Sequence, residues 1–291
     1  TERLHGTDLT GDPQVGAGYA PAGWTHLVDH LGGQGATDEE LLTAGLAALT
    51  RNGRLIDRFR DRLVLPITRA SATSPGQVEV LGFVARRHPR HTDHTDGGPK
   101  YLNTPDTPLF HKGAQLYTTG RPGLLTEGAV PVLVEGPLDA LAVTASGAGR
   151  YVGLAPLGTA LTDEQAHQLA LLAHEAGTAP IVAADADPAG QQATERAYWL
   201  LTQHALHPQG VTLQPGSDPA DTLTRYGPDA LRRTLEASTP LAHHITAQRL
   251  HRHTGLEALR AAAAAVAADR PEHWDNGTRQ VADTTHIPLP V

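Results

Sequence analysis

From residue 131 onward the chain repeats one pattern: a short apolar run, a turn and a helical stretch, with acids closing three of the runs. Pro131-Val132-Leu133-Val134 stops at Glu135-Gly136, and Pro180-Ile181-Val182-Ala183-Ala184 stops at Asp185-Ala186-Asp187. The run at 211–213 is followed by Asp218 and Asp221. Apolar strands near 131–135, 150–154, 180–185 and 210–214 alternate with helical stretches near 137–146, 162–176 and 189–205. That alternation implies a parallel sheet with helices on its faces. Strands that end in acids bring several carboxylates to one sheet edge, the edge where open α/β folds hold their ligands. Gathered carboxylates repel one another unless a hard divalent cation sits between them. Mg²⁺ with phosphate and water completing its shell is the usual solution. The pattern points to phosphoryl-transfer chemistry.

The chain ahead of this repeat is of another kind. Residues 1–36 are rich in Gly and Pro, with one short helix around Trp24 and Leu27-Val28. Thr37-Asp38-Glu39-Glu40 is a capping box that opens a helix expected to run to about Leu49. Leu63–Ile67 and Val78–Val84 flank a turn-rich segment and read as a hairpin. Residues 88–100 form a polar loop, and 101–117 carry several turn signals. Beyond 228 the chain reads as helical, with an Ala-rich helix at about 256–269 and a polar tail or connection at 270–291. The fold class expected is α/β, α+β overall. A mixed N-terminal subdomain (1–125) precedes a parallel-sheet subdomain (126–227), a helical segment (228–270) and a tail (271–291).

Composition narrows the chemistry. The 291 residues are 40% hydrophobic but only 4% aromatic, so Ala, Leu and Val must fill the core. Cysteine is absent, which excludes disulfides and thiolate metal sites. No apolar run approaches the length of a membrane span, and no signal peptide is evident. A soluble, cytoplasmic protein is expected. Methionine is absent too and the chain starts at Thr1, as in a piece excised from a longer protein. The net charge of −8 argues against tight general binding of nucleic acid. It leaves room for a local basic groove beside an acidic metal site.

The first acidic motif is Glu135-Gly136-Pro137-Leu138-Asp139. Glu135 ends a strand, where it can bind a metal or act as general acid or base. Gly136 is expected to permit a sharp turn into the helix. Asp139 falls in the first helical turn, where the macrodipole favours a carboxylate whatever the function. In the second motif Asp185 and Asp187 are two residues apart, so an extended chain would point both the same way. The plainer reading of Asp187 is an N-cap for the helix that Pro188 and Gly190 open.

With these residues in view the chain resembles the TOPRIM domain of bacterial primases, topoisomerases and some nucleases. The carriers are Glu135 to Asp139, Asp185 to Gly190, and Asp218-Pro219-Ala220-Asp221. The preceding segment resembles the basic subdomain of the bacterial DnaG-type primase. It does so through Arg58-Phe59-Arg60-Asp61-Arg62, Leu81-Gly82-Phe83, Arg86, and above all the run Pro99-Lys100-Tyr101-Leu102-Asn103 to Phe110-His111-Lys112-Gly113. The resemblance covers about residues 15–236. It implies an RNA polymerase core that makes short primers on single-stranded DNA, near the nucleoid, with Mg²⁺ or Mn²⁺ as cofactor. Single-stranded DNA and nucleoside triphosphates are the implied partners, with a replicative helicase as a further one. Glu135, Asp185, Asp187 and Asp218 match the family's metal positions. Glu135, Asp185 and Asp187 are the catalytic candidates. Arg86, Lys100, Tyr101, Asn103 and Lys112 match the basic subdomain that faces template and incoming nucleotide. Lys and Arg would neutralise phosphates, and Tyr101 would stack on a base.

The chain also departs from the family. Ala220 stands where an acid is expected directly after Asp-Pro, which leaves Asp221 as a substitute ligand. The loop 84–98 carries Val84-Ala85 and a His-rich insertion, and the segment between Tyr117 and Pro131 is short. The family's zinc-binding domain is missing, as the lack of cysteine requires, so no zinc is expected. A divergent, mobile-element primase fits these changes. Two other readings stay open: another TOPRIM enzyme, a nuclease, and a catalytically weak module that binds DNA or docks a partner. His88, His91 and His94 recur every third residue, as in a zinc site, but a solvated loop is the better reading. His243, His244, His251 and His253 read as a surface face.

Overall fold

The structure is a computed structural model that describes residues 16–287, apart from 72, 75, 92–97, 121, 122 and 159. Its N-terminal half holds β1 (Gly18–Ala20), α1 (His26–Gly32), α2 (Asp38–Thr43), β2 (Ala47–Leu49), β3 (Leu55–Asp57), β4 (Arg62–Ala70), β5 (Val78–Arg87), β6 (Tyr101–Asn103) and β7 (Leu116–Thr118). The long β4–β5 hairpin is the one the sequence predicts. It anchors an antiparallel sheet in the order β1-β4-β5-β6. Tyr19, Leu63, Arg86 and Tyr101 stand in one row across that sheet. The Thr37 capping box forms, with Glu40 closing it, but α2 ends at Thr43 rather than near Leu49. Gly45, at φ +67°, turns the chain there. A β-carbon on it would meet Pro105 and Thr104 at 2.7 Å.

The C-terminal half holds β8 (Val130–Leu133), α3 (Pro137–Ser146), β9 (Tyr151–Pro156), α4 (Asp163–Ala176), β10 (Ile181–Val182), α5 (Pro188–Gln203), β11 (Gln209–Gly210), α6 (Pro219–Tyr226), α7 (Pro228–Glu236), β12 (Thr239–Pro240), α8 (Leu241–Arg252), α9 (Gly255–Ala267) and α10 (Trp274–Thr285). Its sheet runs β12-β11-β10-β8-β9-β7. The central four strands are parallel, as expected, and β12 and β7 close the edges antiparallel. Proline stands in the first turn of α3, α5, α6 and α7, where its missing N–H costs nothing. Gly177 ends α4 in the left-handed conformation, as the sequence indicates.

β10 and β11 are shorter than the apolar runs that encode them. Their ladder stops at the Val211 N–H to Val182 carbonyl bond of 3.4 Å. The chain beyond β10 instead bonds across to the next loop, with the Ala186 N–H donating to the Ser217 carbonyl. The expected tail also differs. Residues 274–285 form α10, which packs on α8 and α9, and Trp274 donates its indole N–H to the Asp269 carbonyl. His243 and His244 are half-buried rather than on a surface face. No helix among the described residues is long and apolar enough to cross a membrane.

One apolar cluster joins both halves. Leu65, Ile67, Val84 and Phe110 pack with Val132, Val134, Leu141 and Leu231. A second cluster lies between the six-stranded sheet and α4, α5 and α8, around Leu154, Leu169, Tyr198 and Leu201. α3 is buried on nearly every side. It approaches β9 so closely that a β-carbon on Gly153 would lie 2.1 Å from the Ala140 carbonyl oxygen. This packing fixes the helix that follows Glu135.

Candidate active site

The strand ends converge as the acid pattern requires. A cavity of about 350 Å³ opens between the C-terminal ends of β8 and β10 and the basic strand β6. Glu135, Asp139, Asp185 and Asp218 line one wall, and Arg86, Lys100 and Tyr101 line the other. Asp139, Asp185 and Asp218 each offer a carboxylate oxygen within 4.8 Å of the others. Three separate elements supply them: the first turn of α3, the turn after β10, and the N-cap of α6.

Electrostatics mark the same cluster. Burial pushes Asp185 up to about 7, and Glu135, Asp218 and Asp187 add to the shift. Burial also raises Glu135, partly offset by the Asp185 N–H that donates to its Oε1 at 3.0 Å. Lys100 lowers both. Asp185 Oδ1 is buried with no hydrogen-bond partner. Carboxylates this crowded, one with an orphaned oxygen, fit a hard divalent cation by charge and by donor type. Close approach is built into the backbone. A β-carbon on Gly190 would lie 2.0 Å from the Asp185 carbonyl and 2.9 Å from Glu135 Oε1. Gly136 has φ −135°, ordinary extended backbone, so it is not needed for a sharp turn. It leaves room: a β-carbon there would meet Asp139 Oδ2 at 3.0 Å and the Tyr101 hydroxyl at 3.5 Å.

On the opposite wall Tyr101 is held by Arg86, whose Nη1 donates to its hydroxyl at 2.8 Å. The Arg86 guanidinium lies 5.5 Å and Lys100 Nζ 6.0 Å from the Tyr101 ring centre. Lys112 lies against Gly158, a residue of the same cavity. Asn103 does not line the cavity: its side-chain N–H donates to the Leu157 carbonyl at 2.5 Å.

Two expected acids stand apart. Asp187 does not share a face with Asp185, because β10 ended several residues earlier. Its carboxylate accepts from the Gly190 N–H at 2.7 Å and caps α5, although its charge still raises its neighbours. Asp221 lies outside the cavity wall and is 3.9 Å from Arg225. Ala220 is fully buried, and its N–H donates to Asp139 Oδ1 at 3.2 Å. The backbone at Ala220 thus orients Asp139, while its methyl group brings no carboxylate to the cluster. Asp139 itself is the site residue that sequence reasoning left half-assigned. Its signal was the spacing of four from Glu135 across a strand–helix junction. His91 Nε2 donates to the Asp61 carboxylate at 2.5 Å, and His88 Nδ1 accepts from the Arg90 N–H; His94 lies outside the described residues.

Residues 12–121 match the family of the DNA primase catalytic core, N-terminal domain, and residues 132–223 match the Toprim-like family. The RNA polymerase domain of Mycobacterium tuberculosis primase DnaG superposes with a TM-score of 0.77 at 30% identity, covering 96% of this chain and 88% of that one. The chain belongs to the family of bacterial DnaG primase RNA polymerase domains. The same mycobacterial domain in complex with a double-stranded DNA oligomer with a 6-nucleotide overhang gives 0.72 at 27% identity, over 98% of this chain and 93% of that one. The DNA primase of Streptomyces coelicolor is 36% identical over 238 residues, 81% of this chain. The chain spans about a third of the length of the curated primases it matches. The family resemblance read from Glu135, Asp185 and the Lys100–Lys112 run therefore holds, and so does the α/β fold class.

Proposed function

We propose that this chain is the catalytic core of a primase, synthesising short RNA primers on single-stranded DNA by metal-dependent nucleotidyl transfer. The observation that carries the reading is the facing of two walls across one cavity. Asp139, Asp185 and Asp218 stand opposite Arg86, Lys100 and Tyr101. Acids alone fit many metal enzymes. A basic, aromatic wall opposite them fits a triphosphate and a nucleic-acid strand.

Asp139, Asp185 and Asp218 would hold Mg²⁺ or Mn²⁺, which when bound lowers the pKa of the attacking 3′-hydroxyl and shields triphosphate charge. Glu135, raised by burial, is placed to take the proton of that hydroxyl or to join the ligand set. Asp187 contributes by capping α5 and by its field; Asp221 sits one turn from the cluster on the face of α6 that carries Arg225. Lys100, Arg86 and Lys112 neutralise phosphate, and Tyr101 presents a ring for a base. Asn103 holds β6 to the six-stranded sheet through Leu157. Residues 1–125 would form the basic subdomain, 126–227 the TOPRIM unit and 228–270 a helical unit, to which α10 adds. A replicative helicase as partner and a cytoplasmic, nucleoid-associated location follow from this reading.

The test is primer synthesis on single-stranded DNA with labelled ribonucleotides and Mg²⁺ or Mn²⁺. The native chain should give short products, and Glu135→Gln should lose at least about a hundredfold. Undiminished product from Glu135→Gln would reject the assignment.

A further inference from the structure

The sequence Arg58-Phe59-Arg60-Asp61-Arg62 places three cations at alternate positions. In an extended chain they would share a face and read as a phosphate-binding stripe. The structure separates them. Arg60 lays its guanidinium 4.4 Å from the centre of the Trp24 ring and donates to the nearby Asp57 carbonyl, away from β6. Arg58 and Arg62 turn inward.

Both reach backbone carbonyls at the two ends of β6. Arg58 donates through Nε and Nη2 to the Asn103 carbonyl at 3.0 and 2.7 Å. Arg62 is 4% exposed and donates through Nη1 to the Pro99 carbonyl at 2.9 Å. A longer bond of 3.4 Å runs from the same nitrogen to the Ala85 carbonyl, beside Arg86. Pro99 immediately precedes Lys100-Tyr101, and Asn103 ends the strand. β6 pairs with β5 over Val84, Ala85 and Arg86, and the Arg87 N–H to Lys100 carbonyl and Thr104 N–H to Phe83 carbonyl bonds flank that ladder. β6 is an edge strand of three residues, and the charge-assisted bonds to the Pro99 and Asn103 carbonyls add to that backbone pairing at both of its ends. The hold extends across the cavity, because Asn103 also donates to Leu157 at the end of β9.

We propose that Arg58 and Arg62 are positioning residues that pin both ends of β6. They thereby set Lys100 and Tyr101 against the acidic wall without touching nucleic acid. The inference rests on the reading of this cavity as the nucleotidyl-transfer site. The pinning itself is independent of that reading. Arg62 is buried and Arg58 half-buried, and both direct donors at peptide carbonyls inside the fold rather than at a phosphate in solvent. Lysine supplies charge but not two parallel donors, so it should replace either arginine only in part.

The experiment uses the full chain with Arg62→Gln, Arg62→Lys and Arg58→Gln. Amide hydrogen exchange is followed for segments 98–103 and 130–185. Single-stranded DNA affinity is measured across salt concentrations, and primer synthesis is assayed in parallel. Exchange over 98–103 should rise on the order of tenfold in both glutamine variants, with 130–185 unchanged. The slope of log affinity against log salt should stay native, while primer synthesis falls and Arg62→Lys recovers part of it. A slope reduced by about 0.7, the signature of one lost phosphate contact, with exchange unchanged would overturn the proposal. Loss of protection throughout the chain in both glutamine variants would overturn it as well, by replacing a local hold with a general packing role. Absence of primers from the native chain would count against the proposed reaction alone, because the exchange and salt measurements still decide the positioning role.

Discussion

Asp139 gains from the dipole of α3 in the way any first-turn carboxylate would, and the same turn delivers it to Asp185 and Asp218. The sequence pattern shows the first role and hides the second, because the Ala220 N–H that orients it lies 81 residues away. Asp139→Asn should leave α3 intact and weaken Mn²⁺ binding by at least about tenfold, measured by titration calorimetry. Asp185 gives a pH signature. It titrates near 3.8 when unfolded and is pushed up to about 7 in the fold, first by burial and then by Glu135, Asp218 and Asp187. Between those values the folded, metal-free chain holds a proton that the unfolded chain has released. Its contribution to stability is therefore lost as pH rises through that window. Thermal midpoints from about pH 5 to about pH 8 should show this fall, and Asp185→Asn should flatten it. Added Mg²⁺ should offset it above about pH 7, by favouring the ionised carboxylate. Midpoints that rise with pH in the metal-free chain would contradict the assignment. Asp187 and Asp221 were as conspicuous in the sequence as Asp185. Their side chains face elsewhere because β10 is two residues long and Asp221 lies a turn into α6. Spacing of two carries orientation only while the strand lasts.

At the level of elements, local signals were the legible ones. The capping boxes at Thr37 for α2 and at Thr162 with Gln165 for α4, the prolines of the first helical turns, Gly177 and the β4–β5 hairpin are written in neighbouring residues. Elements set by distant contacts were not. α2 stops early because Gly45 meets Pro105 and Thr104, sixty residues on. α10 was hidden because its residues are polar on one face and its apolar face packs on α8 and α9. Gly153 belongs to the same class. It reads as a strand glycine, yet it is where α3 lies against β9. Gly153→Ala should cost about 2–3 kcal/mol, seen as a lower denaturation midpoint, because backbone rather than a mobile side chain stands in the way. An unchanged midpoint would mean that α3 can shift without penalty.

Across the whole molecule, the two sheets share one core, and this was not legible in the sequence. The change from hairpin to strand–helix alternation reads as a boundary, while Leu65, Ile67 and Phe110 pack directly with Val132 and Leu141. Phe110→Ala should therefore destabilise both halves together, by about 3–5 kcal/mol and in a single transition. Two separate transitions, with only the N-terminal half weakened, would show independent units. A shared core is also what keeps the two walls of the cavity at a fixed separation. The proposed reaction requires those two walls to act together. The direct measurement is primer synthesis by the native chain, Asp185→Asn from the acidic wall and Lys100→Ala from the basic wall, with Mn²⁺ binding followed on each. Primers from the native chain alone, with Mn²⁺ binding lost only in Asp185→Asn, is the result expected. Full synthesis by either variant, folded and at native stability, would contradict the two-walled site.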